Sequence, residues 1–231
     1  MTLTRRIAFS AAALLASASL LHAHGDVAPQ PINTDALPDV GEEWLTENPY
    51  RAETAGEEVW AKAIEIGSSG FNQNCARCHG LQAISGGLAP DLRYLEAEEF
   101  GDEWFVERFQ VGYTQNGITK MPAFGELLGQ KAAWAIRTYI ETRPDDQAVT
   151  DVSGELKDIR DALMAAADGS ATIDTAATSA RLMELANNIE TLSGAPVADS
   201  IALQAANALN AGDLDLPHVA EILTIGLSAA H

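Results

Sequence analysis

Apolar residues recur at helical spacing along most of the chain, and no stretch alternates convincingly with the period of two that a half-buried strand requires. Val59, Trp60, Ala63, Ile64 and Ile66 form one broad face, which predicts a helix over about residues 55–71. Trp104, Phe105, Phe109 and Val111 predict a second over about 102–113. Ala132, Ala135, Ile136, Tyr139 and Ile140 predict a third over about 128–141. Residues 72–95 are punctuated by Gly and Pro and read as loop, and residues 24–53, with Pro29, Pro31, Pro38 and Pro49, read as irregular chain. Further on, four shorter apolar stripes follow, marked by Leu156 to Met164, Ala180 to Ile189, Ile201 to Leu209 and Val219 to Leu223. Gly169, Gly194 and Gly212 read as the stops of the first three, and Asp215-Leu-Pro217 as the start of the last. The expected fold class is all-α.

The aromatic residues divide this pattern. All of them lie at or before Tyr139, and the remainder is rich in Ala, Leu and Asp. Residues 142–150 read as a helix stop and linker, because Pro144 cannot continue the third helix. The expected organisation is 1–23, 24–146 and 147–231, the last an Ala-rich small helical bundle appended to the rest. Residues 1–23 carry Arg5 and Arg6, an apolar run to Leu21 and a small-residue exit at Ala23, the features of a secretory signal peptide. The run is too short for a membrane span, which needs roughly 20 residues, and no later segment is long and apolar enough. The expected location is the periplasm, although the same run could serve as a retained anchor.

Charge narrows the function. The 231 residues hold 14 Lys and Arg against 33 Asp and Glu, a formal net charge of −19. Removal of the leader takes away two arginines and no acid, leaving −21, with −12 on residues 24–146 and −9 beyond. Such a balance excludes the basic face that nucleic acid requires. It favours solubility or a partner with a basic docking surface. Two cysteines are too few for a disulfide scaffold or a four-thiolate zinc site.

Both cysteines fall in Cys75-Ala-Arg-Cys78-His79. At i and i+3 on one helical turn, two thiols reach the two vinyl groups of a haem and form thioethers, while the adjacent imidazole faces the iron. The spacing reads as attachment of one covalent c-type haem through Cys75 and Cys78, with His79 as the proximal iron ligand. A thioredoxin-like redox pair is the rival, but no strand precedes the motif and a histidine follows it directly. For the sixth position the candidates are Met121, Met164 and Met183, with His24, His218 and His231. Met121 lies in the loop Lys120-Met-Pro-Ala-Phe124 and is the expected distal ligand, whereas Met164 and Met183 sit on apolar stripes and read as core residues. His/Met ligation saturates the iron and suits electron transfer rather than enzymatic catalysis. With the sixth site open, the chain would be a haem-based sensor or a small peroxidase.

Residues 55–142 resemble a class I cytochrome c: helix, C-x-x-C-H, Pro loop, Met loop and C-terminal helix. The resemblance implies that Gly67 lets the first helix approach the last beside Tyr139, and that the carbonyl of Pro90 accepts a hydrogen bond from the His79 ring. It leaves Trp104 with two roles, a hydrogen bond to a haem propionate or ordinary core packing. Arg77, between the two cysteines, reads as a solvated side chain, with pairing to a propionate as the alternative. Residues 41–51, 71–81 and 83–92 are similar to the soluble periplasmic cytochromes that serve quinoprotein (pyrroloquinoline quinone-dependent) alcohol dehydrogenases. That similarity implies such a dehydrogenase as electron donor, and a terminal oxidase or another cytochrome as acceptor. The acidic stretches 96–99 and 141–146 read as solvated faces, or as a docking border around the haem edge.

Overall fold

A computed structural model of the chain describes residues 29–211 and 214–229; residues 1–23, His24, Gly212 and His231 lie outside them. The described elements run α1 (Ala52–Ala55), α2 (Glu57–Asn74), α3 (Ala76–His79), α4 (Glu99–Val111), β1 (Tyr113–Gln115), β2 (Ile118–Met121) and α5 (Gly125–Glu141). They continue with α6 (Asp146–Ala167), α7 (Thr175–Asn187), α8 (Ile201–Asn210) and α9 (Leu216–Ala229). Short 3₁₀ turns at Leu81–Ala83 and Leu92–Tyr94 punctuate the segment expected to be loop. The fold is all-α apart from the hairpin β1–β2, and among the described residues no helix is long and apolar enough to cross a membrane.

The packing of α2 on α5 organises the first part. Gly67 and Gly70 lie on the buried face of α2 together with Ala63 and Phe71, so two positions without side chains mark the line of closest approach. One turn on from Gly67, the rings of Phe71 and Tyr139 lie 5.5 Å apart between centroids. The α5 helix opens irregularly, with Gly129 at φ 76°, and from Ala132 to Glu141 every residue is buried. An amphipathic stripe would leave Arg137, Thr138 and Glu141 to solvent. Arg137 is met instead by Asp102 of α4 and the Glu96 carbonyl, and Thr138 and Glu141 by Asn48 of the irregular segment before α1.

That segment is held by side chains rather than by secondary structure. Gln130 donates to the carbonyls of Gly41 and Glu43 and accepts from the Leu45 N–H, and Lys131 Nζ donates to Leu37 O at 2.7 Å. Asn48 donates to Thr138 Oγ1 and Glu141 Oε1. Beneath it lies a buried ionic cluster. Asp102 accepts from Asn48 N–H, Arg51 Nη2 and Arg137 Nε, each at 2.8 Å, while Glu141 accepts from Arg51 at 2.8 and 3.1 Å. Two guanidinium groups and two carboxylates balance, so the buried charges are paired as burial demands.

Residues 141–146 are therefore not a solvated acidic face. Glu141 is 1% exposed within the ionic cluster, Asp145 caps α6 by accepting from Gln147 N–H, and Asp146 binds Arg93. The expected linker is also shorter than its composition suggested. Only residues 142–145 separate α5 from α6, because Pro144 ends one helix and the Asp145 side chain starts the next.

In the second part, α6 packs on α9, and α8 packs on α7 and α9. Leu156, Leu163, Leu182, Ala205 and Leu223 are buried in one apolar cluster. The small residues permit close approach: a Cβ at Gly226 would lie 1.9 Å from Ile201 Cγ2. The α7 helix ends at Asn187, so Gly194 terminates no helix and lies in the irregular chain beyond, at φ 83°. Met164 and Met183 are not core residues: they are 54% and 37% exposed, on the outer sides of their helices.

Candidate functional site

The α2 helix delivers Cys75 to the site. Its N–H donates to Phe71 O at 2.8 Å, and the chain re-enters a single turn, α3, whose Cys78 and His79 N–H groups both donate to Cys75 O. Residues three apart on such a turn are neighbours, so the thiols of Cys75 and Cys78 lie one above the other. Gly80, at φ 80°, ends the turn; a Cβ there would stand 1.8 Å from Ile84 O, so the site requires glycine twice over. Both cysteines are free, Cys75 half-buried and Cys78 exposed. Burial, with Cys78 alongside, pushes the Cys75 thiol up to about 12. A catalytic redox pair needs a stabilised thiolate, so this environment opposes that reading.

His79 is buried, and its Nδ1 lies 2.9 Å from Pro90 O. A carbonyl only accepts, so Nδ1 carries the proton and donates, and Nε2 is left with a free lone pair. Burial lowers the His79 pKa, against opposing contributions from the Pro90 hydrogen bond and the Asp91 charge. The ring is thereby neutral and oriented, the state in which imidazole binds a metal.

Met121 closes a hairpin that no period-two pattern in the sequence marks. Asn116 and Gly117 turn the chain with φ of 52° and 75°, the left-handed pair of a two-residue hairpin, and Asn-Gly is the sequence signal that could have revealed it. The strands are only three and four residues long and almost wholly exposed, so no alternation of apolar residues marks them. Gly112, at φ 71°, brings the two ends of this excursion together: a Cβ there would lie 2.4 Å from Met121 O. After Met121 the chain is anchored by Phe124 N–H donating to Phe109 O at 2.8 Å.

These pieces meet on one apolar cluster. Phe71, Leu92, Phe109, Phe124 and Ile136 are buried in it, and Cys75, Trp104 and Met121 pack against it partly buried. Phe105 and Phe109, on the apolar face of α4 expected from sequence, complete the cluster. The donor set, two thiols and an imidazole within five residues and a thioether on the same apolar cluster, fits a covalently held haem. Trp104 stacks under the Arg108 guanidinium at 5.3 Å, and that guanidinium also lies over Tyr113 at 5.7 Å. Arg77 is exposed and makes no ion pair among the described residues. His218 is exposed beside Glu221, and the described residues contain no other cluster suited to a metal.

Several known proteins are similar to this chain. Residues 62–140 match the family model described as cytochrome c oxidase, cbb3-type, subunit III. The chain is 50% identical to cytochrome c550 of Pseudomonas aeruginosa over 128 residues, covering 55% of this chain and 86% of that protein. It is 32% identical over 84 residues to quinohemoprotein alcohol dehydrogenase ADH-IIG of Pseudomonas putida, covering 36% of this chain and 11% of that enzyme. A second such enzyme of Pseudomonas putida, ADH IIB, is 30% identical over 99 residues, 41% of this chain and 14% of its own length. No solved structure matches. Half of the 128 aligned residues are shared with a cytochrome across most of that protein's length, and the chain belongs to the cytochrome c family, as a monohaem electron carrier with covalently bound haem c and not an enzyme.

Proposed function

We propose that the chain is a periplasmic carrier that accepts single electrons from a quinoprotein (pyrroloquinoline quinone-dependent) alcohol dehydrogenase and passes them to a terminal oxidase or another cytochrome. Cys75 and Cys78 would hold the haem, His79 and Met121 would ligate its iron, and residues 147–231 form a unit appended to the cytochrome domain 24–146. The observation that carries the ligand assignment is the 2.9 Å contact from His79 Nδ1 to Pro90 O, which leaves Nε2 free and raises its donor strength. The donor reading is supported by similarity to parts of two quinohemoprotein alcohol dehydrogenases. The leader-like residues 1–23 support the periplasm.

Bound haem supplies a one-electron ferric/ferrous couple. The chain's own residues set its surroundings. Phe71, Leu92, Phe124 and Ile136 exclude water and disfavour the extra ferric charge, which raises the potential. The hydrogen bond from His79 Nδ1 to Pro90 O fixes the ring, which would keep reorganisation small on electron transfer. Met121 lies on the same apolar cluster as Cys75, which favours a closed sixth position over the open one that a sensor or small peroxidase needs.

The near-infrared sulfur-to-iron band of the ferric holoprotein tests the ligand. It is expected in the native protein and absent in Met121→Ala; a band intact in that variant would transfer the role to another methionine. Stopped-flow reduction by candidate dehydrogenases tests the donor, with a rate that falls as salt is added. No reduction by any of them would reject the partner.

A further inference from the structure

We infer that the chain beyond Pro144 braces the proximal loop: Arg93 ties the backbone that orients His79 to the first turn of α6, and Arg93 and Asp146 are positioning residues for the iron site. This inference rests on the reading of His79 as the proximal ligand.

Pro90, whose carbonyl holds the imidazole, is followed directly by Asp91, and the loop is closed around that carboxylate. Asp91 accepts from the Arg93 N–H at 3.1 Å, from Arg93 Nε at 3.0 Å and Nη2 at 2.7 Å, and from the Ser85 N–H at 3.5 Å. Ser85 Oγ in turn donates to Ala89 O at 2.5 Å. These bonds give residues 85–93 a shape. They do not, by themselves, fix where that shape sits relative to α3.

The other side of Arg93 supplies the anchor. Nη1 donates to Asp146 Oδ1 at 2.5 Å and to Pro144 O at 3.3 Å, and Nη2 donates to Asp146 Oδ2 at 3.2 Å. A guanidinium has five N–H donors, and here each is committed: two to Asp91, two to Asp146 and one to Pro144. The side chain is 5% exposed and lies between one carboxylate from the loop and one from α6. Fork-shaped, charge-assisted pairing on both sides fixes orientation as well as distance, which a lysine would not do.

A second tie lies just downstream. The Ala97 N–H donates to Ser193 O at 2.9 Å, and Ser193 Oγ donates to Glu141 O. The Asp145 N–H donates to Glu190 O at 2.8 Å, so the chain after α7 is fastened to the same junction. The segment from Leu92 to Ala97 is thus held at both ends by residues beyond α5. A third link, Arg143 Nη1 to Asp199 Oδ2 at 2.8 Å, joins the two parts away from the proximal loop and serves as a control.

The test is proton exchange in the ferrous holoprotein, followed by NMR at the His79 Nδ1–H and at the Ser85 and Arg93 amides. Asp146 is half-exposed and Asp145 keeps the α6 cap, so Asp146→Ala is expected to fold. We expect Asp146→Ala to speed exchange at these sites about tenfold, as loss of a charge-assisted pair allows. Asp199→Ala, which breaks the link that does not touch the loop, should leave them unchanged. Native exchange rates in Asp146→Ala overturn the inference, as does equal acceleration in both variants. Absence of an imidazole ligand to iron in the native ferrous protein would reject the reading of His79 itself and is distinguishable from either result.

Discussion

Gly67 and Ala135 stand so close that a Cβ on Gly67 would lie 1.9 Å from the Ala135 carbonyl oxygen, and 2.9 Å from Tyr139 Cβ. The obstruction at Ala135 is backbone, which cannot rotate aside, so Gly67→Ala must push α2 from α5. Overpacking of this kind costs about 1–3 kcal/mol or more, and Cys75 rides on the displaced helix. Chemical denaturation of the holoprotein should show a loss at the upper end of that range. A midpoint equal to the native one would show that the helices separate without penalty.

Arg137 is fully buried, donates to Asp102 at 2.8 Å and to Glu96 O, and keeps one nitrogen, Nη1, without a hydrogen-bond partner among the described residues. Its replacement by methionine fills much of the same volume but leaves Asp102 and Glu141 with only Arg51 to balance them. Breaking a buried pair from one side costs about 3–5 kcal/mol. Arg137→Met is expected to fall in that range by urea unfolding. A loss below about 1 kcal/mol would mean that Arg137 is not needed to compensate the two carboxylates.

Asp91 gives the protein an acid-sensitive element. Burial alone would raise its pKa, but the Arg93 fork and the N–H groups of Arg93 and Ser85 outweigh burial and hold it below the ordinary 3.8. An acid whose pKa falls on folding contributes stability that is present above its unfolded value and lost as pH drops through the folded one. Asp91→Asn should therefore be less stable than the native protein near neutral pH, with the two melting curves converging in acid. Melting temperatures compared down a pH series check this, and a constant difference would remove Asp91 as the source.

The helices of the cytochrome part were legible because their apolar residues repeat at 3.6, and the motif Cys75 to His79 because its chemistry lies within five consecutive residues. The hairpin before Met121 left only the Asn116-Gly117 pair as a trace, since its strands bury nothing. The exposure of Met164 and Met183 was not legible either. An apolar stripe states which side chains can be buried, not whether a partner helix covers all of them.

By itself, the order of residues determined the all-α class, the covalent haem and the excess of acid, since each is a local or summed property of the chain. Tertiary structure alone decided that Glu141 is buried between Arg51 and Arg137, that residues 29–51 cover α5, and that Arg93 joins the loop of Pro90 to Asp146. Each of these joins groups more than 50 residues apart or on separate elements, apart from the one-turn contact of Arg137 with Glu141. A charge on a surface and a charge in a buried pair have the same composition and the same spacing. Only the packing that removes water from around them makes the pairing obligatory.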